Sequence, residues 1–211
     1  MAHGVIIVEG HGEVEAAQNL VTRLGHEVGL YLSWKTPRRY PKLHLQKGVE
    51  RAAERTRVEP DVAAMLILKD EDDRCPAEWA PRIASWLRDL RLPFPAAVVL
   101  LYREYETLFL PCVDLMAGRE LDAYGAKRPG LRPGTRFDGD FEAIRGVKEW
   151  LSRHFPDGTS YKPTLDQLPM TRMLDFARLR SSGLSCFGSL ERALRFLAAH
   201  IGEAGCVYPP A

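Results

Sequence analysis

Uninterrupted runs of apolar residues, each followed by a helical pattern, constrain the fold of this chain more than any other feature. The first run, Val5-Ile6-Ile7-Val8, consists entirely of β-branched residues, and similar runs occupy residues 62–68 and 96–102. A strand with one solvated face would alternate apolar and polar residues, so these runs predict strands covered on both faces. Such strands are typical of parallel sheets that lie between two layers of helices.

Helical periodicity follows these runs. Apolar residues recur at i, i+3, i+4 and i+7 from Glu13 to Leu24, and Gly25 is a plausible helix end. Further helices are predicted over residues 46–57 and over Pro76–Leu90, where Pro76 lies in the first turn and its missing N–H costs little. A short strand is predicted over Val28–Trp34. The repeated order of strand, helix and strand predicts an α/β domain with a mostly parallel sheet.

The second part of the chain has a different pattern. Gly, Pro and Arg residues are frequent from Gly125 to Gly139, which predicts a mobile basic loop and not a core element. Three helices are predicted elsewhere in this part, over Phe141–Phe155, Thr164–Leu179 and Ser189–Ile201. Ser189 is a candidate N-cap. We expect an α/β core over residues 1–120 and, over residues 121–211, a basic loop and helical extension that pack on it as one domain.

The composition argues against several classes of protein. The net charge of +1 provides no overall attraction to nucleic acid or to an anionic membrane. No apolar run approaches the roughly 18 residues that a transmembrane helix needs, and the start of the chain does not resemble a secretion signal. The four cysteines show neither a CxxC pair nor the spacing of a disulfide framework. These features predict a soluble protein of the reducing cytoplasm without a membrane partner, and they leave homo-oligomerisation open.

Acidic residues follow two of the predicted strands. Glu9 ends the first apolar run and is followed by Gly10-His11-Gly12-Glu13, whereas Asp70 and Asp72 follow the second run. Ligands of parallel sheets gather at the carboxyl ends of the strands. An extended backbone would point Asp70 and Asp72 to the same side, and two like charges about 4 Å apart repel by roughly 4 kcal/mol. Such a cluster needs a cation or a proton, and oxygen-only ligands favour Mg²⁺ or Mn²⁺ over zinc.

Ordinary structural roles remain open for the same residues. A glutamate at position 13 would be favoured by the helix macrodipole, and the acids after residue 69 would also suit a solvated loop. Glu104 and Glu106 follow the third apolar run, where they could pair with Arg74 or Arg103 in a structural salt bridge. The sequence alone does not choose between these roles and a cation site.

The segments VEGHGE and LKDEDD resemble the Toprim domain, whose pattern is a glutamate after the first strand and Asp-x-Asp after a later one. More narrowly, the stretch Tyr102–Leu110, the pair Tyr161-Lys162 and the region Ser185-Cys186-Phe187 resemble the DUF4276 family of Toprim-like bacterial proteins. The resemblance implies a Toprim-like Rossmannoid α/β core, with a mostly parallel sheet flanked by helices, and a helical C-terminal extension.

The same resemblance implies a set of site residues. Glu9, Asp70 and Asp72 would be metal ligands and catalytic residues, and Glu13 could share the metal through water. Glu104 or Glu106 would be a further ligand or a member of a second metal site. Nucleases of the overcoming-lysogenization-defect type also use a lysine near the metals, and by position Lys162 is the candidate, although it could equally be a surface residue.

The activity implied by the resemblance is Mg²⁺- or Mn²⁺-dependent hydrolysis of phosphodiesters in nucleic acid, with DNA as the expected substrate and phage or mobile-element defence as the setting. Phosphates would be held by basic residues of the loop, namely Lys127, Arg128, Arg132 and Arg136. The alternative is a non-catalytic or conditionally active subunit that works with a separate ATPase, because the sequence contains no GxxxxGK[ST] loop. Nucleotidyl transfer, as in primases, is a third hypothesis.

Overall fold

A six-stranded parallel sheet lies between two layers of helices in a computed structural model of the chain, which describes residues 1–123 and 125–210. The strands, in chain order, are β1 (His3–Val8), β2 (Ser33–Trp34), β3 (Arg38–Arg39), β4 (Val62–Glu71), β5 (Ala96–Tyr102), β6 (Glu120–Ala123), β7 (Ala126–Pro129) and β8 (Val207–Tyr208). The strand order in the sheet is β2-β1-β4-β5-β8, and β3 also pairs with β1. Strands β6 and β7 form a separate antiparallel hairpin.

The helices, in chain order, are α1 (Glu13–Glu27), α2 (Gln46–Arg57), α3 (Pro76–Leu90), α4 (Val113–Met116), α5 (Val147–His154), α6 (Pro163–Arg172), α7 (Phe176–Ser181) and α8 (Ser185–Ala199). A 3₁₀ helix also covers Tyr105–Cys112. The predicted α/β fold with a mostly parallel sheet, flanking helices and further helices towards the C-terminus is confirmed. None of the helices in the described residues is both long enough and apolar enough to cross a membrane.

Alternation along the central strands divides the core into two layers. Ile6 and Val8 of β1 pack in the core that contains α1 and α8, whereas Val5 and Ile7 pack in the core that contains α2 and α3. All residues of β1 are buried, which explains why both alternating sets are apolar. The same alternation continues past the apolar runs and determines which side of the sheet each charged residue at a strand end occupies.

Two predicted helices are shortened or divided in the structure. The helix predicted over Phe141–Phe155 begins only at Val147, because Gly146 takes a left-handed conformation with φ 71°. The helix predicted over Thr164–Leu179 is two helices, because Asp175 accepts hydrogen bonds from Ala177 N and Arg178 N and starts α7. Local sequence patterns did not reveal either interruption.

The prediction that Ser189 is an N-cap is wrong. Helix α8 begins at Ser185, where Oε1 of Glu142 accepts hydrogen bonds from Ser185 N at 2.8 Å and from Ser185 Oγ at 2.6 Å. The capping carboxylate comes from a residue that is distant in sequence, so the local sequence pattern of a helix N-terminus does not predict it.

Two predictions for irregular and extended segments are also corrected. The strand predicted over Val28–Trp34 is reduced to Ser33–Trp34, because α1 continues past Gly25 to Glu27 and Gly29 then turns the chain with φ 84°. The segment predicted as a loop from Gly125 contains β7, which pairs in register with β6.

Arg23 joins the first helix to the C-terminal helices. Its guanidinium donates to the carbonyls of Thr171 and Leu174, each at 2.8 Å, and lies 4.7 Å from the ring centroid of Phe176. These carbonyls lie at the end of α6 and just after it, where helical hydrogen bonding stops. Arg23 therefore satisfies acceptors at the break between α6 and α7.

We expect Arg23→Ala to lower the free energy of unfolding by about 2 kcal/mol, because two charge-assisted hydrogen bonds are lost. In a chain of this size the midpoint temperature would fall by roughly 4–8 °C. Thermal and urea unfolding would measure both quantities, with Arg51→Ala, at an exposed position of α2, as the control. Equal losses for the two variants would show that the Arg23 contacts contribute nothing specific.

Candidate functional site

Charged residues meet at the carboxyl ends of β1, β4 and β5. These strands are neighbours and run parallel, with Ile7 opposite Ile67 and Glu71 opposite Tyr102. Glu9, Asp70 and Glu104 follow or end the three strands, so the predicted gathering of acids at one edge of the sheet is present. Alternation of side chains then separates these acids onto two sides of the sheet.

The side that faces α2 holds Glu9 with a buried lysine. Lys69 Nζ lies 3.0 Å from Glu71 Oε2 and 3.7 Å from Glu9 Oε2. The other oxygen of Glu9 accepts a hydrogen bond from Leu43 N at 2.8 Å and lies 3.9 Å from His44 Nδ1. Glu9 is thus bound to the loop before α2 and has a positive charge beside it.

The opposite side holds four carboxyl groups, from Glu13, Asp70, Glu104 and Glu106, which we call the acidic cluster. One lysine, Lys148 of α5, contacts three of them. Its Nζ lies 3.8 Å from Asp70 Oδ2 and 3.4 Å from Glu106 Oε2, and its backbone N donates to Glu104 Oε2 at 3.1 Å. Besides burial, the charges of Glu13, Glu106 and Glu104 raise the pKa of Asp70, so these groups are electrostatically linked.

Local backbone geometry brings Glu13 and Glu106 to this position. Gly10 N donates to Glu13 Oε2 at 3.3 Å, and a Cβ at Gly10 would lie 2.6 Å from Glu13 Oε1, so a side chain at position 10 would displace the Glu13 carboxylate. After β5, Arg103 adopts φ 69°, a strained conformation for a residue other than glycine, and the chain turns into the 3₁₀ helix that carries Glu106. Strained backbone of this kind is common at functional sites.

Burial shifts the titration of the acidic cluster. Burial, followed by the charges of Glu13 and Glu106, holds the pKa of Asp70 well above its usual range. Burial also raises the pKa of Glu106 to about 7, although Lys148 opposes the shift, and it raises the pKa of Glu13. Burial disfavours the charged form of Lys148, but the charges of Glu106 and Asp70 outweigh it and raise the Lys148 pKa. Shifts of this kind are frequent at catalytic and binding sites.

Hydrogen bonding within the acidic cluster is incomplete. Tyr161 OH donates to Glu106 Oε1 at 2.8 Å, and both side chains are buried. Asp70 Oδ1 is also buried, yet it has no hydrogen-bond partner among the described residues. A buried oxygen without a donor is costly, and it is the kind of atom that a cation or an ordered water would satisfy.

The acids are near one another without forming a closed metal cage. A metal cage needs at least three His, Cys, Asp or Glu side chains with their ligand atoms close together. Among the described residues, such atoms lie within 4.8 Å of one another in His200, Glu203 and Cys206, on another part of the surface. The acidic cluster does not meet that criterion, and Lys148 provides its compensating positive charge. A cation here would have to take over this role from the lysine.

Two further expected catalytic residues, in addition to Glu9, lie apart from the acidic cluster. Strand β4 ends at Glu71, so the extended geometry that would align Asp70 with Asp72 does not continue, and Asp72 is exposed. Lys162 is also exposed and precedes α6, where its backbone N donates to Asp166 Oδ2 at 2.7 Å. His11 is exposed as well.

The four basic residues expected to hold phosphates have different surroundings. Arg128 is half-buried, lies 3.1 Å from Asp166 Oδ1 and donates to Ser160 O, so it fastens β7 to the start of α6. Lys127 lies 3.4 Å from Glu120 across the hairpin, and Arg132 lies 3.9 Å from Asp157. Arg136 is exposed.

The sequence did not point to Lys148. It lies in a polar helix far along the chain from the strand-end acids, and no spacing rule relates it to them. Arg74 and Arg103, the expected partners of Glu104 and Glu106, instead lie over the rings of Trp79 and Tyr102 at 4.0 Å and 5.1 Å. Only the folded chain shows which cation approaches the acids.

A family model described as a domain of unknown function, DUF4276, matches residues 8–195. The chain belongs to the DUF4276 family. The matched part of this DUF4276 protein contains the whole acidic cluster, Lys148 and Tyr161, whereas β8 lies beyond it. Among the curated proteins, none matches the chain.

The raised pKa of Glu106 predicts a pH-dependent stability. The group binds its proton more tightly in the folded than in the unfolded chain, so the free energy of unfolding falls as pH rises from about 4.5 to about 7. Glu106→Gln keeps an acceptor for Tyr161 and removes the charge. We expect it to raise stability by on the order of 1 kcal/mol above pH 7 and to have a smaller effect near pH 5.

Thermal unfolding across this pH range, without divalent cations, would measure the effect. Asp72→Asn is the matched control, because it removes an exposed carboxylate near the same edge. If Glu106→Gln changed stability by the same amount at every pH, the raised pKa of Glu106 would not be the cause.

Proposed function

We propose that the acidic cluster binds Mg²⁺ or Mn²⁺ and supports the hydrolysis of phosphodiesters in nucleic acid, as in a Toprim-type nuclease. The observation that carries the proposal is the buried Asp70 Oδ1, which has no hydrogen-bond partner among the described residues, in a cluster of four carboxyl groups with one lysine beside it. Such an excess of negative charge favours a divalent cation, and oxygen-only donors suit Mg²⁺ or Mn²⁺.

The chemistry of the donors fits such a cation. Asp70, Glu13 and Glu106 would hold it, and Glu104 would be a further ligand. When bound, the cation would activate water and stabilise the leaving oxygen of the phosphodiester. The protein contributes a partly buried site in which electrostatic interactions are stronger than in water.

Lys148 and Tyr161 would position the reacting groups. Tyr161 OH binds one oxygen of Glu106 and so leaves the second oxygen for Lys148 or a cation. Once a divalent cation balances Asp70 and Glu106, the Lys148 ammonium would be available to contact a phosphate oxygen. This role corresponds to the lysine expected near the metals, and it competes with the role of exposed Lys162.

Nearby cations would contact the nucleic-acid backbone. Arg39 of β3 donates to Glu9 O at 2.9 Å, and Arg145 lies 3.0 Å from Asp73, two residues after the end of β4. Both side chains stand at the same edge of the sheet as the acidic cluster. Contacts to phosphates are independent of base sequence, so we expect binding that weakens steeply with salt.

Asp70→Asn is expected to lower cleavage of plasmid and single-stranded DNA in Mg²⁺ or Mn²⁺ by about 100-fold or more, because it removes the central ligand. Asp72→Asn, two residues away and exposed, is the matched control and should have a much smaller effect. Glu9→Gln measures the contribution of the acid on the other side of the sheet. Isothermal titration of Mn²⁺ into each variant separates metal binding from cleavage.

Equal cleavage by the wild type and Asp70→Asn would contradict the proposal. Metal binding without cleavage would instead support the partner-dependent alternative, in which a separate ATPase activates the site. The position of Lys148 supports this alternative. Its ammonium can balance the charges of Asp70 and Glu106 until a partner or substrate rearranges the site.

Lys148→Met is expected to separate two effects of the lysine. Without divalent cations it should lower the midpoint temperature, because Asp70 and Glu106 lose their counter-charge, whereas the affinity for Mn²⁺ should rise by about tenfold. Cleavage should fall if the ammonium contacts the phosphate. Lys162→Met is the comparison, and a loss of cleavage in that variant alone would assign the catalytic lysine to position 162.

A further inference from the structure

A second cluster of metal-ligating side chains lies after the last helix. The ligand atoms of His200, Glu203 and Cys206 all lie within 4.8 Å of one another. The spacing of three residues between successive ligands winds them around a turn that follows α8. His200 and Cys206 are half-buried and Glu203 is exposed, so an ion could reach the group from solvent.

Two backbone hydrogen bonds hold the end of this turn. Cys206 O accepts a hydrogen bond from Ala96 N at 2.9 Å, and Gly205 N donates to Leu92 O at 2.8 Å. Gly202 and Gly205 have φ of 88° and 74°, values that a residue with a side chain rarely adopts. The turn therefore presents its three ligands from a backbone that is anchored to the start of β5.

A hydrogen bond determines which nitrogen of His200 is free to bind a metal. His200 Nδ1 lies 2.8 Å from Phe196 O, and because a carbonyl can only accept, Nδ1 carries the proton. In the neutral ring, Nε2 then keeps its lone pair. The ring also stacks on Phe196, with the centroids 4.1 Å apart, which restricts its rotation. A backbone carbonyl that binds the other ring nitrogen is the usual support for a metal-ligating histidine.

We propose that His200, Glu203 and Cys206 bind a zinc ion. One nitrogen, one oxygen and one sulfur ligand match the preferences of Zn²⁺ and are poorly suited to Mg²⁺ or Ca²⁺. Cys206 Sγ lies 3.4 Å from Glu203 Oε2, as a thiol that donates to the carboxylate. On binding, the S–H bond breaks, a zinc–sulfur bond forms, and the proton is released to solvent.

The location indicates a structural role. Val207 of β8 pairs with Ala96 at the amino end of β5, whereas the acidic cluster lies at the carboxyl ends of the strands. The three ligands also lie outside residues 8–195, the part that the family model matches. Zinc would fasten the end of α8 to the edge strand β8, and it would do so independently of the proposed nuclease activity.

Alkylation of thiols tests the site in the intact chain. With Zn²⁺ present, iodoacetamide should modify Cys206 at least about tenfold more slowly, because a metal-bound thiolate is protected. Exposed Cys75 is the internal control and should react at the same rate with and without zinc. Mass spectrometry of the peptides reports both cysteines in one experiment. The protein must carry no histidine tag.

Cobalt substitution gives a second measurement. Co²⁺ should produce a thiolate charge-transfer band in the wild type and in Cys75→Ser, and the band should be lost in Cys206→Ser. Glu203→Gln changes an exposed side chain and should weaken zinc binding without unfolding the protein, which circular dichroism would verify. Unprotected Cys206 in saturating zinc, or a cobalt band that persists in Cys206→Ser, would overturn the proposal.

Discussion

Burial of β1, β4 and β5 on both faces is the constraint on which the rest of the structure depends. Charged side chains cannot lie within these strands without leaving water, so they occur where the strands end. Because the strands are parallel neighbours, their carboxyl ends share one edge, and alternation then directs Glu9 to the side of α2 and Asp70 to the side of α5. The separation of the acids into two groups follows directly from the packing of the sheet.

The two groups of acids use the same means of compensation. A buried lysine, Lys69, lies between Glu9 and Glu71, and Lys148 lies between Asp70 and Glu106. The first arrangement has two carboxylates for one lysine, whereas the second has four carboxyl groups for one lysine, raised pKa values and an oxygen with no hydrogen-bond partner among the described residues. Burial of such a group is costly to stability. The imbalance is the physical basis for proposing function at the acidic cluster and not at Glu9.

The opposite edges of the sheet have different ligand chemistry. The carboxyl edge offers only oxygen donors around a lysine, whereas the amino edge offers nitrogen, oxygen and sulfur on an anchored turn. Hard cations select the first set and zinc the second. The two proposed sites can therefore coexist in one small domain without competing for the same ion.

The sequence by itself determined the parallel α/β core, because continuous apolar runs and helical periodicity are local properties; α2, α3 and β5 have the bounds it predicted. It also placed Glu9 and Asp70 at one edge. It could not show the helix interruptions at Gly146 and Asp175, the cap that Glu142 provides for α8, or the approach of Lys148. These depend on contacts between distant segments, and only tertiary packing decides which side chain reaches a buried carboxylate.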